Sequence, residues 1–182
     1  MSKTRNKINR FKGLRCFFIG PFLFSLLFSG HPISIDGLYQ DWEDVPIAYI
    51  DTEDDDLGAD YSTLKITYDS EFLFIYFNFF NGEFLMQDWN DFHLYIDADN
   101  DSSTGHYVHG IGAELDWTFG DRSGYKHVEG QQSELYQNDL TLRIAPTITS
   151  TEFEVAIARG SSPLTLNGSQ SFTGGKLVLS EI

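Results

Sequence analysis

The chain has 182 residues, 15% of them aromatic, and a formal net charge of -15. That length is enough for one domain with a core of its own. So acidic a surface repels phosphate backbones and anionic lipid, which argues against nucleic acid as a partner.

The charge is unevenly spread. Lys3, Arg5, Lys7, Arg10, Lys12 and Arg15 open the chain, and from His31 onward 6 basic residues stand against 27 acidic ones. An apolar run follows the basic opening, Phe17 to Phe28. At about twelve residues it is too short to cross a bilayer core of roughly 30 Å and suits the apolar region of a signal peptide. Ser29 and Gly30 supply small residues for cleavage, although Phe28 stands where a small residue is preferred. Residues 1–30 are therefore expected to be an export signal, with an uncleaved anchor as the alternative. Residues 31–182 are then a secreted, periplasmic or cell-surface domain with no membrane association in the mature form. Cys16 is the single cysteine and precedes the apolar run, so it cannot accept a lipid, and cleavage leaves a domain without disulfides.

The remainder reads as strands and turns. Ser62 to Asp69 alternates Leu64, Ile66 and Tyr68 against Lys65 and Thr67. After a turn at Asp69-Ser70, Glu71 to Phe80 is apolar on both faces, which predicts a central strand covered on both sides. Period-two alternation recurs in Asp91 to Asp97, Gly112 to Phe119, Asp139 to Ala145 and Thr151 to Ile157. Trp42 and Trp117 fit core positions. No window sustains a helical period, and short strands separated by Gly, Asn, Asp, Pro and Ser predict an all-β antiparallel sandwich, jelly-roll-like, in a single domain. The reading leaves two alternatives for the C-terminal part: an edge strand at Leu177 to Leu179 that ends the sandwich, or a sandwich whose last strand is missing.

The chemistry concentrates in one stretch. Asp97, Asp99 and Asp101 alternate at the end of a strand, and Glu114 and Asp116 follow on the next one, with no Lys or Arg between. Carboxylates gathered that closely repel one another by several kcal/mol at an effective dielectric near 20. A hard cation removes that cost, and calcium takes six to eight oxygens from carboxylates, carbonyls and hydroxyls. Asp97, Asp99, Asp101, Glu114 and Asp116 are accordingly the candidate calcium ligands, with the Asn100 amide, the Ser102 and Ser103 carbonyls and the Thr104 hydroxyl as further donors. The alternative is a solvated acidic turn. An EF-hand is excluded, because Ser102 and His109 stand where its Gly and Glu belong. Zinc is disfavoured, since His93, His106, His109 and His127 lack a ligand-like spacing and no cysteine joins them. The second acid run, Asp51 to Asp60, reads as an exposed loop, with a second ion site as the alternative.

Several of these segments, in order, resemble one family. Ile35-Asp36-Gly37, Asp41-Trp42 and Pro46 are similar to the opening of the family-nine carbohydrate-binding modules and their DOMON-like relatives. The run from Tyr68 to Phe79, the Asp97–Gly105 loop with Gly112 and Glu114 after it, and Glu152 to Arg159 resemble the family's later strands, with Ala158 where a Pro is usual. The resemblance covers most of Ile33 to Arg159. It implies a β-sandwich, often with structural calcium, in a secreted modular protein.

Three functions compete. The first is a non-catalytic module binding a glycan or polysaccharide, with sugar rings stacked on exposed aromatics; Trp89 and Tyr107, in polar turn-rich stretches, are the candidate platforms. The second is a structural or adhesive surface module that uses calcium for rigidity alone. The third is a glycosidase with paired carboxylates, for which no distinctive pair stands out, so no enzyme activity is expected. A haem-binding DOMON relative would need an axial pair such as Met86 with a histidine.

Overall fold

The computed structural model describes residues 32–53, 59–88, 90–165 and 175–181. The expected export signal, Trp89 and the middle of the second acid run lie outside the described residues. Within them, no helix is long and apolar enough to cross a membrane.

The strands in chain order are β1 (Ile47–Ile50), β2 (Asp60–Tyr68), β3 (Phe72–Asn81), β4 (Phe92–Asp97), β5 (His106–Val108) and β6 (Ile111–Ala113). They continue as β7 (Leu115–Thr118), β8 (Ser123–Val128), β9 (Gln131–Tyr136), β10 (Arg143–Ala145), β11 (Glu152–Ala158) and β12 (Lys176–Glu181). One antiparallel sheet has the order β1-β2-β3-β11-β10 and the other β12-β4-β7-β8-β9. A two-stranded ribbon, β5-β6, stands apart. The fold is thus the expected all-β sandwich.

The core lies between the two five-stranded sheets. Leu73, Ile75, Phe77 and Phe79 of β3 meet Phe92, Leu94 and Ile96 of β4 and Leu115 and Trp117 of β7. Phe77 and Phe119 approach to 6.1 Å between ring centroids, and Phe79 and Phe92 to 5.5 Å. Each fully buried large side chain contributes about 1.5–3 kcal/mol, which lets the sandwich stand without a disulfide.

β3 is covered on both faces, as its sequence predicts. Its outward Phe74 and Tyr76 pack beneath Trp42 and Val45 of the N-terminal segment. There the Glu154 carboxylate accepts hydrogen bonds from the Asp36 and Gly37 backbone N–H groups at 2.7 and 2.6 Å and from the Trp42 indole at 2.8 Å. The Ile-Asp-Gly and Asp-Trp pattern of the N-terminus is therefore a strap, fixed to β11 by one buried carboxylate.

The second sheet is also covered on its outer face. Val108, Ile111 and Ala113 of the ribbon pack on Tyr95 of β4 and Val178 of β12. Side chains alternate along a strand, so His93, Tyr95 and Asp97 of β4, Asp116 of β7 and His127 of β8 all face this covered side.

Two segments depart from the sequence reading. Gly112 to Phe119 does not keep one set of partners: its first residues pair with β5, whereas Glu114 onward joins the main sheet, with the Glu114 N–H bonded to the Ile96 carbonyl at 2.9 Å. Asp139 to Ala145 is not one strand. Its start belongs to a single helical turn, α1 (Gln137–Leu140), ended by Thr141 at φ 48, and only Arg143–Ala145 is extended. The Asp139 carboxylate bonds the Tyr136 N–H at 2.8 Å, which caps that turn and outweighs the alternation.

Candidate metal centres

The acidic stretch is built on β4, the loop after it, and the residue that links the ribbon to β7. Asp97 ends β4 and lies opposite Lys176 of β12. The chain turns at Asn100, with φ 60, and again at Gly105, with φ 65. It then returns through the ribbon to Glu114. The loop lies directly on Gly112: a Cβ there would stand 2.1 Å from the Thr104 carbonyl oxygen and 2.5 Å from that of Asp101. Only glycine allows this approach, and it draws the loop oxygens toward Glu114.

Carboxylate oxygens of Asp97, Asp99 and Glu114 all lie within 4.8 Å of one another, and Asp97 and Glu114 are buried. Glu114 Oε2 accepts the Ala98 N–H at 2.7 Å. The Thr104 Oγ1 stands 3.1 and 3.0 Å from the two Asp99 oxygens, 3.2 Å from Glu114 Oε1 and 2.9 Å from the Asp101 carbonyl. A hydroxyl has one proton to donate, so it satisfies one of these four oxygens while the others converge without it. Neither Asp97 oxygen accepts a hydrogen bond of normal geometry, and the Lys176 ammonium is 3.7 Å from Oδ2.

The electrostatics follow from this crowding. Burial, reinforced by the charges of Asp99 and Asp97, pushes the Glu114 pKa up to about 7. Burial also raises that of Asp97, against the opposing pull of the Asn100 N–H and of Lys176. These acidic groups could hold a metal ion, and the donors offered are all oxygens.

The five sequence-predicted ligands do not form one group. Asp97, Asp99 and Glu114 come together. The Asp101 carboxylate turns away: its Oδ1 accepts the Ser103 N–H at 2.9 Å and the Ser103 hydroxyl at 2.7 Å, which hold its pKa down. Only its main-chain carbonyl faces Thr104. Asp116 shares a face with Glu114 but belongs to a different cluster.

That second cluster contains the histidines whose spacing argued against a metal. Asp116 Oδ1 lies 3.1 Å from His93 Nδ1 and Oδ2 lies 3.5 Å from His106 Nδ1. The His106 and His127 rings are 5.0 Å apart between centroids. One ligand atom each of His106, Asp116 and His127 falls within a mutual 4.8 Å. The three come from β5, β7 and β8, so no spacing along the chain could reveal them. Burial lowers the His127 pKa and so favours its neutral imidazole.

Of the candidate platforms, Tyr107 is 70% exposed in the middle of β5, and Trp89 lies outside the described residues. Sequence reasoning missed Tyr125 and Tyr136, both exposed. They occupy diagonal positions on β8 and β9, within reach of one another on one face. Met86 is buried in the core between the sheets, away from the outer face that carries His93 and His127, so the haem-type pair is not brought together. Trp42 and Trp117 are core residues, as expected. Comparison of the chain with protein-family models, with curated proteins and with solved structures gives no match, and the site is therefore read from its own geometry.

Proposed function

We propose that this chain is an exported, non-catalytic glycan-binding module whose acidic loop is held by calcium. The observation that carries the metal is the convergence of Asp97, Asp99 and Glu114 around the Thr104 hydroxyl. An all-oxygen donor set with two buried carboxylates suits a hard cation, and its mixture of carboxylate, hydroxyl and carbonyl groups suits the flexible coordination of calcium. The glycan rests on exposed aromatics. Tyr107, Tyr125 and Tyr136 present rings of the kind that stack on sugar faces, beside carboxylates and amides able to bond hydroxyls. The same features support a family-nine-like module, since the Gly112 and Glu114 pattern and the Ile-Asp-Gly strap both have structural work in this fold.

A second reading keeps the metal and drops the sugar: a calcium-rigidified structural or adhesive module. It is favoured by the strap and the ribbon, each of which covers part of the outer face of one sheet. A glycan array probed with the calcium-loaded chain separates the two. Binding of a polysaccharide class that weakens at least tenfold in Tyr107→Ala or Tyr136→Ala supports the first. Absence of binding across the array leaves the second.

A further inference from the structure

The outer face of the second sheet carries more histidine than packing requires. The sequence has 5 histidines, and His93, His106, His109 and His127 lie together around Tyr95 and Asp116. His93 stacks on Tyr95 at 5.3 Å and 10° between planes, and His109 packs on the same tyrosine at 5.5 Å. The His106 and His127 rings pack on each other, and His106 Nδ1 lies 3.5 Å from Asp116 Oδ2. The Nε2 atom of His127 is sealed from solvent and has no hydrogen-bond partner. A buried ring nitrogen without a partner is costly, and here it points to a ligand.

We propose that His106, Asp116 and His127 form a second metal site, selective for a borderline transition-metal ion such as Zn(II), with His93 positioning Asp116. Two neutral imidazoles and one carboxylate are a zinc donor set, whereas calcium takes oxygens and discriminates against imidazole. Metal–ligand distances of about 2.0–2.2 Å place tetrahedral ligand atoms roughly 3.3 Å apart. The three donors already lie within 4.8 Å of one another, so rotations of the side chains close the site while the strands stay in place. The His93 contact to Asp116 at 3.1 Å is the outer contact that orients a ligating carboxylate.

The site spans two layers. His106 belongs to the ribbon, while Asp116 and His127 belong to the sheet beneath it. A bound ion therefore clamps the ribbon down, and Tyr107, the neighbour of His106, is presented in one orientation. The proposal does not depend on the calcium reading, because the two clusters share no ligand.

The test is calorimetric titration of the full chain with Zn(II), calcium being present in excess. The expected result is one zinc bound per chain, weakened at least tenfold in both His106→Ala and His127→Ala and unchanged in Asp97→Asn. Substitution of Co(II) should give the intense visible absorption of a four-coordinate ion, and His106→Ala should abolish it. His106 is on the exposed ribbon, so that variant decides the matter even where His127→Ala fails to fold. Absence of stoichiometric zinc binding, or binding indifferent to His106→Ala, would overturn the proposal. Zinc that is displaced by Asp97→Asn would overturn it too, by placing the ion in the acidic loop.

Discussion

Glu154 reaches across from β11 to hold Trp42, its Oε2 accepting the indole N–H at 2.8 Å while Oε1 takes two backbone N–H groups. Burial raises the pKa of this carboxylate, and those donors pull it back. Removing it strands three buried or half-buried donors at once, and each such loss costs about 1–3 kcal/mol. Glu154→Ala should therefore destabilise the chain by roughly 3 kcal/mol or more in urea unfolding. Glu154→Gln, which keeps an acceptor oxygen, should lose clearly less. Equal losses from the two would mean that the Glu154 hydrogen bonds are not what holds the strap.

The acidic cluster predicts opposite effects of one substitution in two conditions. Asp97→Asn should lower the melting temperature in calcium and should leave it unchanged or raise it in chelator, where a buried charge has been removed. A ligand at a hundredfold excess over its Kd adds about 2.7 kcal/mol, which corresponds to roughly 5–10 °C for a chain of this size. Thermal melts of wild type and variant in calcium and in EDTA make the comparison. A wild-type melt that ignores calcium sinks the calcium reading outright.

Protonation gives an independent check. Glu114 has a folded-state pKa of about 7, above its ordinary value. The folded state without metal thus binds a proton that the unfolded chain has released. That contribution to stability is complete below about pH 4.5 and is lost as pH rises through 7. His127 and His109, whose pKa values are lowered, act in the opposite sense and lose stability as pH falls. The difference between Glu114→Gln and wild type removes this background. In EDTA the variant should gain relative to wild type between pH 5 and 8, by about 2.5 kcal/mol. A difference that stays constant over that range would show that Glu114 is not the strained group.

Glycine substitutions distinguish the loop from the rest of the fold. Gly112→Ala sets a methyl group against the Thr104 and Asp101 carbonyls. It should destabilise by about 1–3 kcal/mol and abolish the response to calcium. Gly160→Ala meets nothing within 4 Å at an ordinary φ and should be nearly silent. Retention of the full calcium shift in Gly112→Ala would mean that the loop does not need to lie against β6.

The legibility of this molecule varied with how the information is distributed along the chain. β2, β3, β4 and β11 are visible because each has one apolar face that must meet the core. β9 escapes notice because it is largely exposed, with Leu135 its one buried residue, and β8 because its mostly half-buried residues show no apolar alternation. The turn between them, with Glu129 at φ 52 and Gly130 at φ 72, was the available signal. Asp97, Asp99 and Glu114 were found because two of them are nearly adjacent and the third follows a short ribbon. Asp101 stands outside that group because alternation says where a strand residue points, whereas a loop residue answers to its own hydrogen bonds. The histidine cluster joins three strands through sheet register, which no reading of local spacing contains.

Lys176 has a meaning that its modest separation of 3.7 Å from Asp97 conceals. It is a tethered counter-ion. Supplied by the last described strand at the position opposite Asp97, it offsets part of the charge that a free cation would neutralise. The loop therefore need not spring open when solution cations are scarce, and any ion that enters must share its carboxylate with a resident ammonium. On the proposed metal reading, affinity is surrendered for tolerance of depletion, and the setting of that compromise lies in the last described strand, far along the chain from the acids it serves.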